Sequence, residues 1–391
     1  MGGFKSKVEY VLKHNVVISK IFRFCASTFI KFIGLFVPVD EKAVLFTALS
    51  KKYNDSSKAI YEYMLKNPKY SNFKFYWAVT ETEKDKIPGN PIIVKPDSFK
   101  YFITALKCKY WVANVNIERS LKFKRKKTVY LHTWHGIPIK TVGNEVAGRK
   151  DYDFSYVDYF CVSSDYEVDL YKRSFNVSEN QILKVGMPRN DVLYNTTNEE
   201  IDAIKEKLNL PKDKKIILYA PTWRDSKDGG SSYQIKPPIN ISLWEEKLGS
   251  DYVLLFRTHH YTNKLVGVEF NDFVLDYTSY PNVNDLLKIA DVLVSDYSGT
   301  IFDYSIVERP VICFAYDYDD YVIERGFAMD YLAEFNSHIV KTENEVIDKI
   351  LTLNYQEEVE KTKLIKSKYV TYGGSAIESC VEALFTNAKL D

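Results

Sequence analysis

The stretch VLVSDYSGTIFD, residues 292–303, shows most directly how this chain folds. Its first residues form a short apolar run that predicts a buried strand, and a polar turn then leads into a second apolar run that predicts a helix. This order of strand, turn and helix is typical of parallel sheets with helices packed on both faces. The same order recurs along most of the chain.

Short apolar stretches alternate with amphipathic ones in two series. The first series predicts strands at residues 42–49, 73–80, 91–94, 110–115, 128–133 and 159–163. The second begins after a polar helical stretch at 198–208 and predicts strands at 215–220, 252–257, 273–276, 292–295 and 310–314. We therefore predict an α/β protein with two doubly wound, Rossmann-like domains, residues 38–195 and 196–391, facing a cleft. The last helix either stays with the second domain or crosses back to the first.

Composition limits the classes of function. The chain has 391 residues, of which 46% are hydrophobic and 15% aromatic, so it can bury large cores. Its formal net charge is +1, so nucleic acid is not an expected partner and any affinity for phosphate must come from local sites. Five scattered cysteines without a Cys-x-x-Cys pair predict neither a disulfide framework nor a zinc knuckle, and they fit a reducing cytosol.

Residues 1–37 form an amphipathic segment without an uncharged run of the ~20 residues that span a bilayer. At about 100° per residue, one face carries Ile18, Phe22, Cys25, Phe29, Phe32, Ile33 and Phe36. The opposite face carries Lys20, Arg23, Ser27 and Lys31. This pattern favours a helix lying in a membrane surface. Packing on its own protein, or on a second subunit in a homo-oligomer, is the alternative.

His135 lies in LHTWHGIPIK, residues 131–140, directly after a predicted strand. Histidine titrates near neutrality and suits a general base. Gly136 allows the backbone to approach a ligand closely, and Pro138 stiffens the loop. A structural histidine is the alternative, but this position beside Trp134 at a strand end favours catalysis.

Three further motifs suit a nucleotide diphosphate. In GMPRND, residues 186–191, Arg189 can fork onto a phosphate, while Asp191 either orients it or caps a helix. In YAPTWR, residues 219–224, small and hydroxyl side chains are placed to line a nucleotide pocket. In FRTHH, residues 256–260, Arg257 and His259 share one side of an extended chain and reach one diphosphate, unless they are a surface charge pair.

The turn within 292–303 supplies an anion site through Ser298, Gly299, Thr300 and the backbone N–H groups of the helix start. Asp303 follows one turn later, where it can accept a hydrogen bond from a ribose or cytidine. No metal-binding motif stands out, because the acidic run at 317–320 is interpreted as a solvated loop. We predict an enzyme without a metal or cofactor.

Together, these motifs in this order resemble the CDP-glycerol glycerophosphotransferase family, which builds teichoic acids and capsular polymers. The resemblance covers residues 40–370. It implies a GT-B-like fold and transfer of glycerol phosphate from CDP-glycerol, with release of CMP. The implied acceptor is a hydroxyl of a lipid-linked (undecaprenyl diphosphate) saccharide or of a polyol phosphate. The implied location is the cytoplasmic face of the bacterial cell membrane, as a peripheral protein.

Residue by residue, His135 resembles the catalytic base of the family, and His259 with Arg257 resembles its partner at the diphosphate. The expected substrate-binding residues are Gly136, Ile137, Pro138, Ile139, Arg189, Pro221, Thr222, Ser298, Gly299, Thr300 and Asp303. The family often has Thr at Ile137, Pro at His260 and Ser at Gly299, so a CDP-ribitol donor stays open. A GT-B glycosyltransferase that uses a nucleotide sugar and a non-catalytic membrane scaffold stay open as well.

Overall fold

The structure is a computed structural model that describes residues 15–222, 224, 233–235, 238–258, 262–265 and 269–386. The described residues form two compact units. Of the described residues, the first unit contains 15–135, 156–161 and 377–386, and the second contains those within 136–155 and 162–376. These units do not divide at residue 195, because 136–155 and 162–195 pack with the second unit.

The strands of the N-terminal part form one sheet. They are β1 (Asp40–Thr47), β2 (Lys74–Ala78), β3 (Ile92–Val94), β4 (Cys108–Ala113), β5 (Val129–His132), β6 (Tyr159–Val162) and β7 (Ile182–Lys184). Their order is β3-β2-β1-β4-β5-β6-β7, and the pairs from β3 to β6 are parallel. The predicted strands are all present, whereas β7 was not predicted because its three residues are not fully buried and carry no apolar run.

The remaining strands are β8 (Lys215–Ala220), β9 (Tyr233–Ile235), β10 (Tyr252–Phe256), β11 (Thr262–Leu265), β12 (Val274–Asp276), β13 (Val292–Ser295), β14 (Val311–Phe314) and β15 (Ile339–Val340). The main sheet has the order β12-β10-β8-β13-β14-β15 and is parallel, and β9 pairs separately with β11. Residues 216–220 of β8 are buried without alternation, as expected for a strand covered on both faces.

The helices are α1 (Val16–Gly34), α2 (Asp55–Lys66), α3 (Phe99–Lys107), α4 (Asp165–Phe175), α5 (Asp191–Tyr194), α6 (Asn198–Lys207), α7 (Ile241–Leu248), α8 (Val283–Ile289), α9 (Thr300–Ser305), α10 (Tyr318–Glu324), α11 (Tyr331–Phe335), α12 (Glu343–Leu351), α13 (Tyr355–Tyr369) and α14 (Ala376–Phe385). Capping boxes start α6 at Thr197 and α12 at Thr342. The last helix, α14, belongs to the first unit from Ile377 onward, where Phe385 packs on Tyr110 with ring centroids 4.5 Å apart.

Helix α1 packs on the first unit through a narrow strip. Ser27 lies in this strip: its hydroxyl donates to the carbonyl of Arg23 at 2.5 Å and accepts the N–H of Lys122 at 3.0 Å. Ser27, which the sequence places on the face opposite the apolar one, therefore lies with Ile30 and Gly34 in a strip that faces the protein. None of the described helices is long and apolar enough to cross a membrane.

The apolar face of α1 points away from the protein. Its exposed members are Val17, Ile18, Ile21, Phe22, Phe24, Phe29 and Phe32, and Leu35 and Phe36 continue it directly after the helix, with exposed fractions up to 78%. At 100° per residue this face lies opposite the packed strip, and Lys20 and Lys31 border it on one side. Within the described part of the chain, α1 therefore carries an unusually large apolar surface.

Candidate functional site

Two of the predicted motifs lie against each other in the second unit. A Cβ atom on Gly299 would lie 2.7 Å from the carbonyl oxygen of Ile137, so the Ser298–Thr300 turn packs on the loop that follows His135 in sequence. The Ser298 hydroxyl accepts the N–H of Thr300 at 3.2 Å and donates to the Thr300 hydroxyl at 2.9 Å. Since α9 has only six residues, we expect these hydroxyls to contribute more to anion binding than the helix dipole.

Arg189 and Asp303 form an ion pair with each other. Nη2 of Arg189 lies 2.8 Å from Oδ2 of Asp303, and Nδ2 of Asn190 donates to Oδ1 at 2.6 Å. The two charged side chains are only 11% and 8% exposed. The sequence interpretation had assigned each of them separately to the substrate and missed this pairing. Asp191 accepts the N–H of Ala376 at 3.0 Å, so it caps the start of α14.

Arg224 holds the end of β8 in place, although it was not among the predicted site residues. Its Nε and Nη2 donate to Asp317 at 2.6 and 2.9 Å, and Nη2 also donates to Asp296 at 2.9 Å. Its Nη1 donates to the carbonyl of Thr222 at 2.6 Å. The guanidinium also lies within 5.2 Å of three ring centroids, those of Tyr297, Tyr316 and Tyr321. The interpretation of Asp317 as part of a solvated loop was therefore wrong.

The same cluster fixes Thr222. Oδ1 of Asp296 accepts the N–H of Thr222 at 2.8 Å and that of Tyr297 at 2.7 Å. The Thr222 hydroxyl is buried and has no hydrogen-bond partner among the described residues, which suits a ligand contact. Pro221, beside it, is also buried.

Arg257 differs from the other two arginines in its partners. Its Nη1 donates to the carbonyls of Tyr277 at 3.1 Å and Tyr280 at 2.6 Å, and no carboxylate pairs with it among the described residues. Burial lowers the pKa of Arg257 to about 10. Its charge is therefore the one most suited to a bound diphosphate. His259 and His260 lie outside the described residues, so the predicted pairing of Arg257 with His259 stays a prediction.

His135 belongs to the first unit, where the backbone carbonyl of Asn114 lies 3.0 Å from its Nδ1. A carbonyl can only accept, so Nδ1 carries the proton and the lone pair of the neutral ring is on Nε2. The ring stacks on Trp134 at 4.1 Å, and Trp134 adopts a positive φ of 53°. The backbone N–H of Trp134 donates to His132, which stacks on Phe160 at 4.8 Å. These contacts fix the orientation of the His135 ring.

Sequence reasoning missed Asn114 and His132. Asn114 is fully buried, and its side-chain amide has no hydrogen-bond partner within the described part of the chain. His132 is also fully buried, and burial holds its pKa well below the ordinary value, so it stays neutral. For Asn114 the only available signal was a polar residue inside the apolar run predicted as a strand at 110–115. For His132 it was a histidine inside an apolar run.

Comparisons with known proteins identify the family of this chain. A family model described as CDP-Glycerol:Poly(glycerophosphate) glycerophosphotransferase matches residues 29–385. The chain belongs to this family. The resemblance to the CDP-glycerol glycerophosphotransferase family, found from the motifs, is confirmed.

Two relatives and one solved structure illustrate the likeness to other members. The chain is 34% identical to the teichoic acid glycerol-phosphate transferase of Staphylococcus aureus, over 86% of this chain and 90% of that protein. It is also 34% identical to the teichoic acid poly(glycerol phosphate) polymerase of Staphylococcus epidermidis, over 82% of this chain but only 48% of the polymerase. The chain thus spans about half of that polymerase.

The solved structure is that of the wall teichoic acid polymerase TagF. It shares 31% identity and a TM-score of 0.81 with this protein, over 98% of this chain and 97% of that one. The predicted GT-B-like α/β class is confirmed by this likeness and by the two parallel sheets.

We expect Gly299→Ala to destabilise the protein by about 1–3 kcal/mol, because the new methyl group meets a backbone carbonyl that cannot rotate away. The measurement is the free energy of unfolding in urea. Gly34→Ala is the control, since its nearest contact, at 3.2 Å, is the flexible end of Leu106. An unfolding free energy for Gly299→Ala equal to that of the wild type would contradict the close approach to Ile137.

Glu167, on α4, makes stability depend on pH. It is fully buried, accepts the N–H of Ser163 at 2.5 Å and the hydroxyl of Tyr171, and burial raises its pKa to about 7 from the ordinary value of 4.5. Between these values the unfolded chain has lost the proton and the folded chain keeps it. Stability therefore falls as pH rises from about 4.5 to about 7, by roughly 3 kcal/mol at most.

Glu167→Gln should remove this decline, because glutamine does not titrate. Urea unfolding of wild type and variant at about pH 5 and about pH 8 measures the difference. The exposed Glu206 provides the control substitution Glu206→Gln, which should keep the wild-type pH dependence. Parallel pH profiles for wild type and Glu167→Gln would show that Glu167 does not titrate in this range.

Proposed function

We propose that this protein transfers glycerol phosphate from CDP-glycerol to a hydroxyl of a lipid-linked saccharide or polyol-phosphate acceptor in teichoic acid or capsular polymer synthesis. The observation that carries the proposal is the hydrogen bond between Nδ1 of His135 and the carbonyl of Asn114, in a chain that belongs to this family. It places the ring proton on Nδ1, which makes Nε2 the basic nitrogen of the oriented ring.

In the proposed reaction, the acceptor hydroxyl loses its proton to Nε2 of His135. Its oxygen forms a bond to the β-phosphorus of CDP-glycerol, the phosphorus that carries the glycerol. The bond from that phosphorus to the bridging oxygen breaks, and CMP leaves with the electron pair. Positioning and electrostatics supply most of the rate in such transfers.

The second unit supplies groups for the donor. Arg257 is a buried cation with only carbonyl partners among the described residues, which supports a role at the diphosphate. The hydroxyls of Thr222, Ser298 and Thr300 can donate to phosphate or ribose oxygens. His259 is retained in the proposal as the partner of Arg257. The ion pair of Arg189 and Asp303 then orients the neighbouring loop, and only its remaining donors and lone pairs reach substrate.

A donor screen tests the proposal. Purified protein is supplied with CDP-glycerol, CDP-ribitol or UDP-sugars and a soluble polyol-phosphate acceptor, and the released nucleotide is identified. We expect CMP from CDP-glycerol. Release of CMP from CDP-ribitol but not from CDP-glycerol would show that the donor is CDP-ribitol. Release of UDP would instead identify a glycosyltransferase. The absence of any acceptor-dependent nucleotide release would support a non-catalytic scaffold.

The proposal includes peripheral attachment to the cytoplasmic face of the membrane through α1. Two of the exposed side chains on the apolar face, Phe32 and Phe36, pack edge to face at 5.3 Å. Phe32→Ser/Phe36→Ser should weaken binding to phosphatidylglycerol vesicles at least about tenfold, because each buried Phe contributes ~2 kcal/mol. Vesicle co-sedimentation of the full chain measures this.

Ile323→Ser/Leu364→Ser is the matched control, since both side chains are exposed apolar residues of the second unit. It should bind vesicles like the wild type. Unchanged binding of Phe32→Ser/Phe36→Ser would contradict the attachment. Dissociation of an oligomer by the same two substitutions would identify a subunit contact instead.

A further inference from the structure

A cavity of ≈ 760 Å³ lies in the first unit where β1, β2 and β3 end. Among its lining residues are Lys51, Thr80, Lys84, Lys95, Ser98 and Lys100. They come from the turn after β1, the segment after β2, the segment after β3 and the start of α3. The carboxyl ends of parallel strands are where open α/β sheets bind their ligands.

The lining is strongly positive. The lining contains four lysines and one carboxylate, that of Glu81, whereas the formal net charge of the whole chain is +1. Lys84 pairs with Glu81, and Lys51 pairs with Asp97 at 2.5 Å. Lys95 and Lys100 have no carboxylate partner among the described residues. Their two charges are therefore uncompensated beside the cavity, where they attract an anion.

The segment that carries these lysines is fixed by hydrogen bonds. Asp97, at a φ of 61°, accepts from both Lys51 and Arg119. Ser98 donates to the carbonyl of Lys95 at 2.7 Å and caps α3 by accepting the N–H of Tyr101 at 3.1 Å. The first turn of α3 contains no acidic residue, so its partial positive charge adds to that of the lysines.

The cavity lies at the same edge of the sheet as His135. The strands from β3 to β5 are parallel and neighbours in the order β3-β2-β1-β4-β5, so their carboxyl ends lie at one edge of the sheet. His135 follows β5 at that edge. Two strand spacings, about 10 Å, separate the end of β1 from the end of β5. A chain anchored beside Lys51 can therefore extend along this edge towards the base.

We propose that this cavity binds phosphodiester groups of a polyol-phosphate acceptor, behind the terminal hydroxyl that reacts. The inference rests on the proposed function, since such an acceptor carries a row of phosphates. Lysine ammonium groups bind phosphates as point charges, and their flexible stems adapt to successive phosphates better than a rigid arginine fork. The volume is that of a sizeable ligand and exceeds what one phosphate needs.

Direct binding tests the cavity. The variant is Lys95→Gln/Lys100→Gln, and the matched control is Lys126→Gln/Lys127→Gln, two exposed lysines of the same unit outside the lining. The probes are a synthetic glycerol phosphate oligomer and an uncharged oligoglycerol of equal length, titrated by calorimetry. We expect wild type and control to bind the charged oligomer but not the uncharged one. The variant should bind the charged oligomer roughly tenfold more weakly, and its affinity should depend less on salt concentration.

CMP release with the same oligomer as acceptor separates this inference from the proposed function. In the variant, the KM for the oligomer should rise about tenfold, while kcat and the KM for CDP-glycerol stay unchanged. Equal oligomer binding by variant and wild type, or displacement of the oligomer by CDP-glycerol, overturns the cavity assignment even if CMP is released normally. A wild type that binds the oligomer through these lysines yet releases no CMP overturns the proposed function and leaves the anion site standing.

Discussion

His135→Ala is expected to lower the rate of CMP release from CDP-glycerol by about 10²- to 10⁴-fold, the range that a positioned general base contributes. The effect should fall on kcat, because the base acts in the transition state and adds little to ground-state binding. We expect a large effect because the ring is held in a fixed position. The Asn114 carbonyl accepts the hydrogen of Nδ1, and Trp134 stacks on the face of the ring. Steady-state kinetics with a soluble acceptor measure the split between kcat and KM.

Added imidazole distinguishes a lost base from a damaged fold. In His135→Ala, free imidazole can enter the space left by the ring and should restore part of the rate, whereas it should not affect the wild type. The unfolding free energy of the variant should change by about 1 kcal/mol, since the side chain is half-buried. Near-normal turnover of His135→Ala would remove this histidine from the chemistry.

The sequence was sufficient for the features that depend on local pattern. Each predicted strand is found within a few residues, because buried parallel strands are uniform apolar runs bounded by turns. The missed strand β7 has no fully buried residue, and the missed strand β15 has two residues of which one is buried, so neither is a uniform apolar run. Strands β9 and β11 pair outside both main sheets, and their short segments show no apolar run either.

The residues of the candidate site could be proposed from the sequence, but which of them pair with each other could not. Arg189 and Asp303 are 114 positions apart, and only the fold shows that they neutralise each other. The two units likewise divide by packing and not by sequence order: residues 136–155 join the second unit, where the Gly299 turn packs on Ile137. Ser27 shows the same limit, because periodicity identifies a polar position but not which face of α1 finds a partner.

Replacement of Arg224 should strongly destabilise the second unit. Arg224→Met keeps the length of the side chain but removes the charge between Asp296 and Asp317, whose side chains are 2% and 21% exposed. Breaking a buried ion pair from one side leaves uncompensated charge, which typically costs about 3–5 kcal/mol. We expect a loss of about 3 kcal/mol in urea unfolding, together with a higher KM for CDP-glycerol, since Asp296 holds the N–H of Thr222.

A second substitution tests the cause of that loss. If stranded carboxylates destabilise Arg224→Met, then Arg224→Met/Asp317→Asn should recover part of the stability, because the Asn removes one of the two uncompensated charges. If Arg224 instead acts only by packing between the tyrosine rings, the expectation is the opposite. Methionine fills much of the same space, so the additional Asp317→Asn substitution would then bring no gain in stability. A double variant no more stable than Arg224→Met would therefore assign the role of Arg224 to packing between the rings.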